Sequence, residues 1–134
     1  MTTTTTPTGL SAPVRALQAT TTLVLLVLAW QFVTAGQMIP RGGPEELHAA
    51  GAIVLHVASG LAVVAAFLLN RTARGPWWPT VLTAVVFVLT FVQAYTGSHG
   101  VLAVHVPCAI VLTVGSVWVA AWSWLGSTAS ARRR

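Results

Sequence analysis

The sequence predicts an all-α membrane protein, a four-transmembrane-helix antiparallel bundle built from two helical hairpins. Three observations predict it. Four apolar stretches each reach the roughly 20 residues that a helix needs to cross a hydrocarbon core. Charged residues make up only 7% of the 134, against about 25% in soluble domains, and 55% are hydrophobic. Finally, the stretches are joined by short links, so consecutive spans should run antiparallel and lie beside one another.

Taken in order, the spans cover residues 16–36, 45–69, 77–97 and 99–125. Pro40 and the Gly42-Gly43-Pro44 run break the chain before the second span, with Pro44 suited to the first helical position and Glu45 and Glu46 favourable in the first turn. Gly75-Pro76 separates the second and third spans, and Gly97-Ser98 leaves Ser98 as the expected N-cap of the fourth. Before the first span, residues 1–13 are polar, poor in charge and of low complexity, which predicts a disordered tail. The four-helix domain is then 14–126, followed by a basic tail at 127–134.

The net charge of +5 comes from seven arginines and no lysine. In a chain this apolar, a basic total reports topology, and no nucleic-acid partner is expected. Arg15, Arg71, Arg74, Arg132, Arg133 and Arg134 fall on one side of a four-span topology and only Arg41 on the other. By the positive-inside rule this predicts a multi-pass protein of the cell membrane with both termini in the cytoplasm. Trp77, Trp78, Trp122 and Trp124 fit an aromatic belt at that cytoplasmic border. Cys108 has no second cysteine to pair with and reads as a small buried hydrophobe.

The chemistry rests on four histidines: His48 and His56 in the second span, His99 and His105 at the head of the fourth. Ionisable groups at membrane depth are costly, so they are candidate site residues by default. In the predicted topology His48, His99 and His105 lie in the outer half and His56 nearer the midplane. At about 100° per residue, His48 and His56 sit about 80° apart around their helix, broadly on one face, whereas His99 and His105 point in well-separated directions. Imidazoles from two facing helices, with no carboxylate or cysteine partner inside the spans, suit the two axial positions of a haem iron. A bare zinc ion would call for three or four converging protein ligands. His105 with either His48 or His56 is therefore the expected ligand pair for a haem b, and these three are the candidate metal ligands. His99 and Arg41 are further cofactor contacts, Arg41 as a partner for a haem propionate. Lateral room for the macrocycle is expected at Ala49, Ala50, Gly51, Ala52, Ser59, Gly60, Gly100 and Ala103. Pro107 predicts a kink in the fourth helix.

The chain also echoes itself. Gln31 is followed by Thr34 at the end of the first span, and Gln93 by Thr96 at the end of the third, each just before a histidine-bearing helix. This suggests two copies of a helical hairpin related by an axis along the membrane normal. The two glutamines are expected to make interhelical hydrogen bonds.

Glu45-Glu46-Leu47-His48, the segment from Gln93 to Gly97, and Ala103-Val104-His105 resemble one four-helix half of the haem A synthase family. That resemblance implies His48 and His105 as axial ligands on the extracytoplasmic side, with Glu45 three residues before the first. The chain also resembles small bacterial four-span proteins with a His-x7-His second helix and a Leu-His-Pro-like fourth, in which His48, His56 and His105-Val106-Pro107 are the matching positions. No arginine follows His48, and a valine separates His105 from Pro107. One half offers one haem site and no separate substrate site, so haem binding, not methyl oxidation, is what the resemblance implies.

The resulting expectation is a small b-type haemoprotein, bis-histidine ligated, in electron transfer or haem handling, with the lipid bilayer and a redox protein or quinone as partners. Filled axial positions leave no place for oxygen chemistry, and no catalytic residue is assigned. The alternative is a membrane assembly or interaction subunit whose histidines brace helices or bind a transition metal. The oligomeric state is not legible in the sequence.

Overall fold

The computed structural model describes residues 11–39 and 43–131. They form four helices, α1 (Ala12–Met38), α2 (Glu45–Ala73), α3 (Trp78–Ser98) and α4 (Leu102–Ala131), with no strand among the described residues. Each helix is long and apolar enough to cross a membrane. α1 packs on α2 and α4, and α3 on the same two, so the helices form a ring with α1 opposite α3 and α2 opposite α4.

Local sequence sets the boundaries. Ser11 is extended at the N-cap of α1, and the fixed φ of Pro13 suits the first turn that follows. Glu45 and Glu46 stand in the first turn of α2, where the helix dipole favours negative charge, and Arg71 stands in its last. Arg74 ends α2 in the left-handed region at φ 50°, next to Gly75, whose carbonyl accepts a 2.7 Å bond from Asn70 Nδ2. Pro79 takes the second position of α3.

The link from α3 to α4 differs from its expected form. Ser98 does not cap α4; it is the last residue of α3, and its Oγ donates to the Tyr95 carbonyl at 3.0 Å. His99 likewise caps the end of α3 and lies outside α4. The cause is Gly100, which adopts φ 68° and lets Val101 N–H reach the Thr96 carbonyl (2.8 Å) and Gly100 N–H the Gly97 carbonyl (3.0 Å). These two bonds are the Schellman closure of a helix C-terminus, satisfying carbonyls that would otherwise face lipid. Pro44, expected in the first helical position, is the N-cap of α2 instead, at φ −79° and ψ 68°.

The interior is small and the exterior apolar. Val24, Leu28, Leu55, Ala58, Ala62, Val86 and Leu112 make one buried cluster, and Leu17, Ala65, Ala66, Leu69 and Val119 a second. Leu26, Ile53, Trp118 and Leu125 stand outside, at 64–71% exposure. An outward display of large apolar side chains on every helix fits lipid as the solvent. Interior hydroxyls mostly return to their own helices: Thr21, Ser59, Thr83 and Ser116, one from each helix, donate to the carbonyl four residues earlier. At the Arg-rich end, Trp78 and Trp122 meet edge to face with centroids 5.1 Å apart, and buried Gln18 donates to the Ser123 carbonyl at 3.0 Å.

Close approach of α3 and α4 depends on Gly115, where a Cβ would lie 3.1 Å from Val86 Cγ2 and 3.4 Å from Leu82 Cδ1. Gly115→Leu therefore overpacks this contact and is expected to cost about 1–3 kcal/mol. Thermal unfolding in detergent should show a lowered Tm, while Gly36→Leu, at a glycine with open space around it, leaves Tm nearly unchanged.

Candidate functional site

Two similar hydrogen-bonded units stand where α1 gives way to α2 and where α3 gives way to α4. In the first, Thr34 of α1 is buried and its Oγ1 lies 2.9 Å from His48 Nδ1 on α2. The Thr34 hydroxyl is also within 3.0 Å of the Trp30 carbonyl and 3.2 Å of the Gln31 carbonyl. The Gln31 backbone lies near enough to act on the His48 ring. In the second unit, His105 Nδ1–H on α4 donates to the Gln93 backbone carbonyl of α3 at 3.0 Å, and Thr96 Oγ1 lies 3.4 Å from the same nitrogen. Thr96 Oγ1 in turn lies 2.8 Å from the Val92 carbonyl and 3.3 Å from that of Gln93. The repeated glutamine and threonine are thus the seats of the two histidines.

The two units are neighbours. His48 and His105, on the opposed helices α2 and α4, are near enough for their ring charges to interact. Both rings are partly buried. Gly97 makes room for the second: a Cβ there would lie 3.0 Å from His105 Cε1 and 3.1 Å from Nδ1.

The other two histidines are held separately. His56 Nδ1–H donates to the Ala52 carbonyl of its own helix at 2.6 Å, and the ring meets Phe91 of α3 edge to face at 4.3 Å. Its position on the face of α2 that adjoins α3 separates it from the Thr34–His48 unit, although the two histidines share a helix. His99 is exposed, stacked on Tyr95 at 4.2 Å, with Nδ1 bonded to the Tyr95 carbonyl at 2.8 Å and 3.1 Å from Ser98 Oγ. Arg41 lies outside the described residues.

The glutamines behave differently from expectation. Among the described residues no hydrogen bond reaches Gln31 Oε1 or Gln93 Oε1, although both atoms are buried. The Gln93 backbone carbonyl, not its amide oxygen, serves His105, because it lies in the last two turns of α3, beside the first turn of α4. The lateral room expected at Gly51 and Gly60 is likewise taken up within the bundle. A Cβ at Gly51 would meet Gln31 Oε1 and Trp30 Cδ1 at 2.9 Å, and one at Gly60 would meet the Phe87 ring at 3.3 Å. Ala49, Ala50, Gly100 and Ala103 remain exposed.

Donor chemistry narrows what this place can do. His105 Nδ1 faces a carbonyl that can only accept, so the proton sits on Nδ1 and Nε2 keeps its lone pair. The two amide oxygens that lack a partner among the described residues stand within a turn of Thr34 and Thr96. Among the described residues no group of three or more His, Cys, Asp or Glu side chains converges to hold a metal ion. A tetrahedral cage for a bare ion is therefore not built here.

Thr34 and Thr96 as histidine partners, Phe91 against His56 and Tyr95 against His99 were not drawn from the sequence. Only the repeated Gln-x-x-Thr spacing signalled the first pair. No family model matches the chain, and no curated protein or solved structure matches it either.

The Gly97 contact gives a direct check. In Gly97→Ala the added methyl displaces the His105 ring from the Gln93 carbonyl, and the slowly exchanging His105 Nδ1 proton resonance should broaden or vanish while that of His56 persists.

Proposed function

We propose that the protein is a small b-type haem-binding membrane protein in which His48 and His105 are the axial ligands, serving electron transfer or haem handling. The observation that carries this reading is the pair of matched units on opposed helices, each presenting one imidazole. The residues fit the group by their donor set: His105 has a free Nε2, His48 sits in the same kind of seat, and unpaired acceptors surround them without a third protein ligand for a bare ion. When bound, haem supplies a one-electron couple.

The chain's own residues do the rest. The Gln93 carbonyl fixes the tautomer and plane of His105, and Gln31 and Thr34 hold His48. Apolar side chains on all four helices keep the spans in lipid and bulk water away from the rings. Leu47, Val101 and Leu102, neighbours of the histidines in the chain or on the same helix end, are exposed. His56, held against Phe91, and His99, stacked outside on Tyr95, are not ligands in this reading.

The topology proposed with it is an up-and-down bundle of two antiparallel hairpins in the cell membrane, both termini cytoplasmic, with the histidine units in the outer leaflet. Arg15, Arg71 and Arg74 supply the positive-inside bias near the opposite ends of the helices. A redox protein or a quinone exchanging electrons at the outer surface is the partner this arrangement would serve.

Reduced-minus-oxidised spectra of protein purified in mild detergent after haem-supplemented expression test the reading. The wild type should show a low-spin b-type signal. His48→Ala and His105→Ala should lose it, and His56→Ala and His99→Ala should retain it. A folded wild type without a haem signal rejects the proposal, as does retention of the low-spin signal in both ligand variants.

A further inference from the structure

We infer that Thr34 and Thr96 are positioning residues that lock both imidazoles in the Nδ1-protonated tautomer and so keep each Nε2 as a lone-pair donor. The haem reading above supplies what the lone pairs are for; the tautomer itself stands on hydrogen-bond geometry.

The argument begins with the hydroxyl protons. A threonine hydroxyl near a histidine nitrogen can either donate to it or accept from it, and the two cases leave opposite tautomers. In both units the hydroxyl has a carbonyl of its own helix within reach. Thr96 Oγ1 lies 2.8 Å from the Val92 carbonyl against 3.4 Å from His105 Nδ1, and Thr34 Oγ1 lies 3.0 Å from the Trp30 carbonyl and 2.9 Å from His48 Nδ1. A hydroxyl proton given to its own helix leaves only oxygen lone pairs facing the imidazole, and Nδ1 is then the donor.

A carbonyl supports the same assignment. His105 Nδ1 is also 3.0 Å from the Gln93 carbonyl, which can only accept. The His105 Nδ1 proton is therefore shared between one carbonyl and one hydroxyl of the preceding helix. Sharing also constrains the ring plane, because two acceptors on one helix define a direction where one would leave the imidazole free to swing. Metal-bound histidines are commonly oriented this way by a partner on the nitrogen away from the metal.

The units are not equivalent in strength. Thr34 lies 2.9 Å from His48 Nδ1, whereas Thr96 lies 3.4 Å from His105 Nδ1, which leans on the Gln93 carbonyl at 3.0 Å. Removing the Thr34 hydroxyl should therefore disturb its histidine more than removing the Thr96 hydroxyl disturbs the other. A hydroxyl with a purely structural role is available for comparison in Thr83, buried in α3 and donating to the Pro79 carbonyl without touching a histidine.

Nitrogen-15 spectra of histidine-labelled haem-free protein in detergent read the tautomers directly, in the wild type and in Thr34→Val, Thr34→Ser, Thr96→Val and Thr83→Val. The expected wild-type pattern has Nδ1 protonated and Nε2 unprotonated in both His48 and His105. Thr34→Val should turn His48 into a tautomer mixture, Thr34→Ser should restore the original pattern, Thr96→Val should give a smaller change at His105, and Thr83→Val should give none. Haem-loaded Thr34→Val should hold its cofactor about tenfold more weakly, the lower end of what loss of such an orienting partner costs a metal site. It should also have a raised midpoint potential, since a less basic imidazole stabilises the oxidised iron less. An Nε2-protonated wild type overturns the inference, and so does a Thr34→Val spectrum matching that of Thr83→Val. A wild type with the expected tautomers that takes up no haem would instead refute the function proposed above and leave the assignment of the threonines standing.

Discussion

The bond from His105 to the Gln93 carbonyl is the interaction on which the arrangement of the site depends. A partly buried histidine on a membrane-spanning helix is oriented by whichever protein acceptor lies within reach of its ring. Here that acceptor is a helix-end carbonyl on the preceding span. It is in reach because Gly100 turns the chain within three residues and starts α4 beside the last turn of α3. The same logic operates between α1 and α2 with a longer connection, where Thr34 takes the larger part.

Helix packing serves this geometry more than it supplies hydrophobic stability. In lipid an apolar side chain gains little by turning inward, and association relies on close fit and hydrogen bonding. The alanine-rich inner face of α2 and the glycine at 115 meet that need, and the large side chains are left outside. Interior hydroxyls are closed onto their own helices, so the middle of the bundle carries few unmet polar groups. Among the described residues the unmet ones are Thr80 Oγ1, Gln31 Oε1 and Gln93 Oε1, and the two amide oxygens lie within a turn of Thr34 and Thr96.

The four spans were legible because hydropathy over about 20 residues is a strong signal that needs no tertiary knowledge. Their ends were less so. Ser98 and His99 read as the head of the fourth helix, yet they complete the third, because a left-handed Gly100 carries the turn one step further than Gly97 alone suggests. The histidines were recognisable as unusual, and the angular separation of His48 and His56 followed from helical geometry. What could not be read was rotation about the helix axis, which turns His48 toward α1 and His56 toward Phe91 of α3. The threonines appeared in the sequence only as an echo, since a hydroxyl's role depends on which carbonyl and which ring lie within about 3 Å.

His48 and His105 each find a partner on the span just before: His48 on α1, His105 on α3. The hydrogen bonds of these two rings are thus made inside consecutive helix pairs. During synthesis, α1 with α2 and then α3 with α4 can partition from the translocon into lipid as self-contained couples, each imidazole already hydrogen-bonded before the other couple arrives. Assembly of the bundle then becomes a matter of docking two halves, with His48 and His105 brought to one end only at the last step.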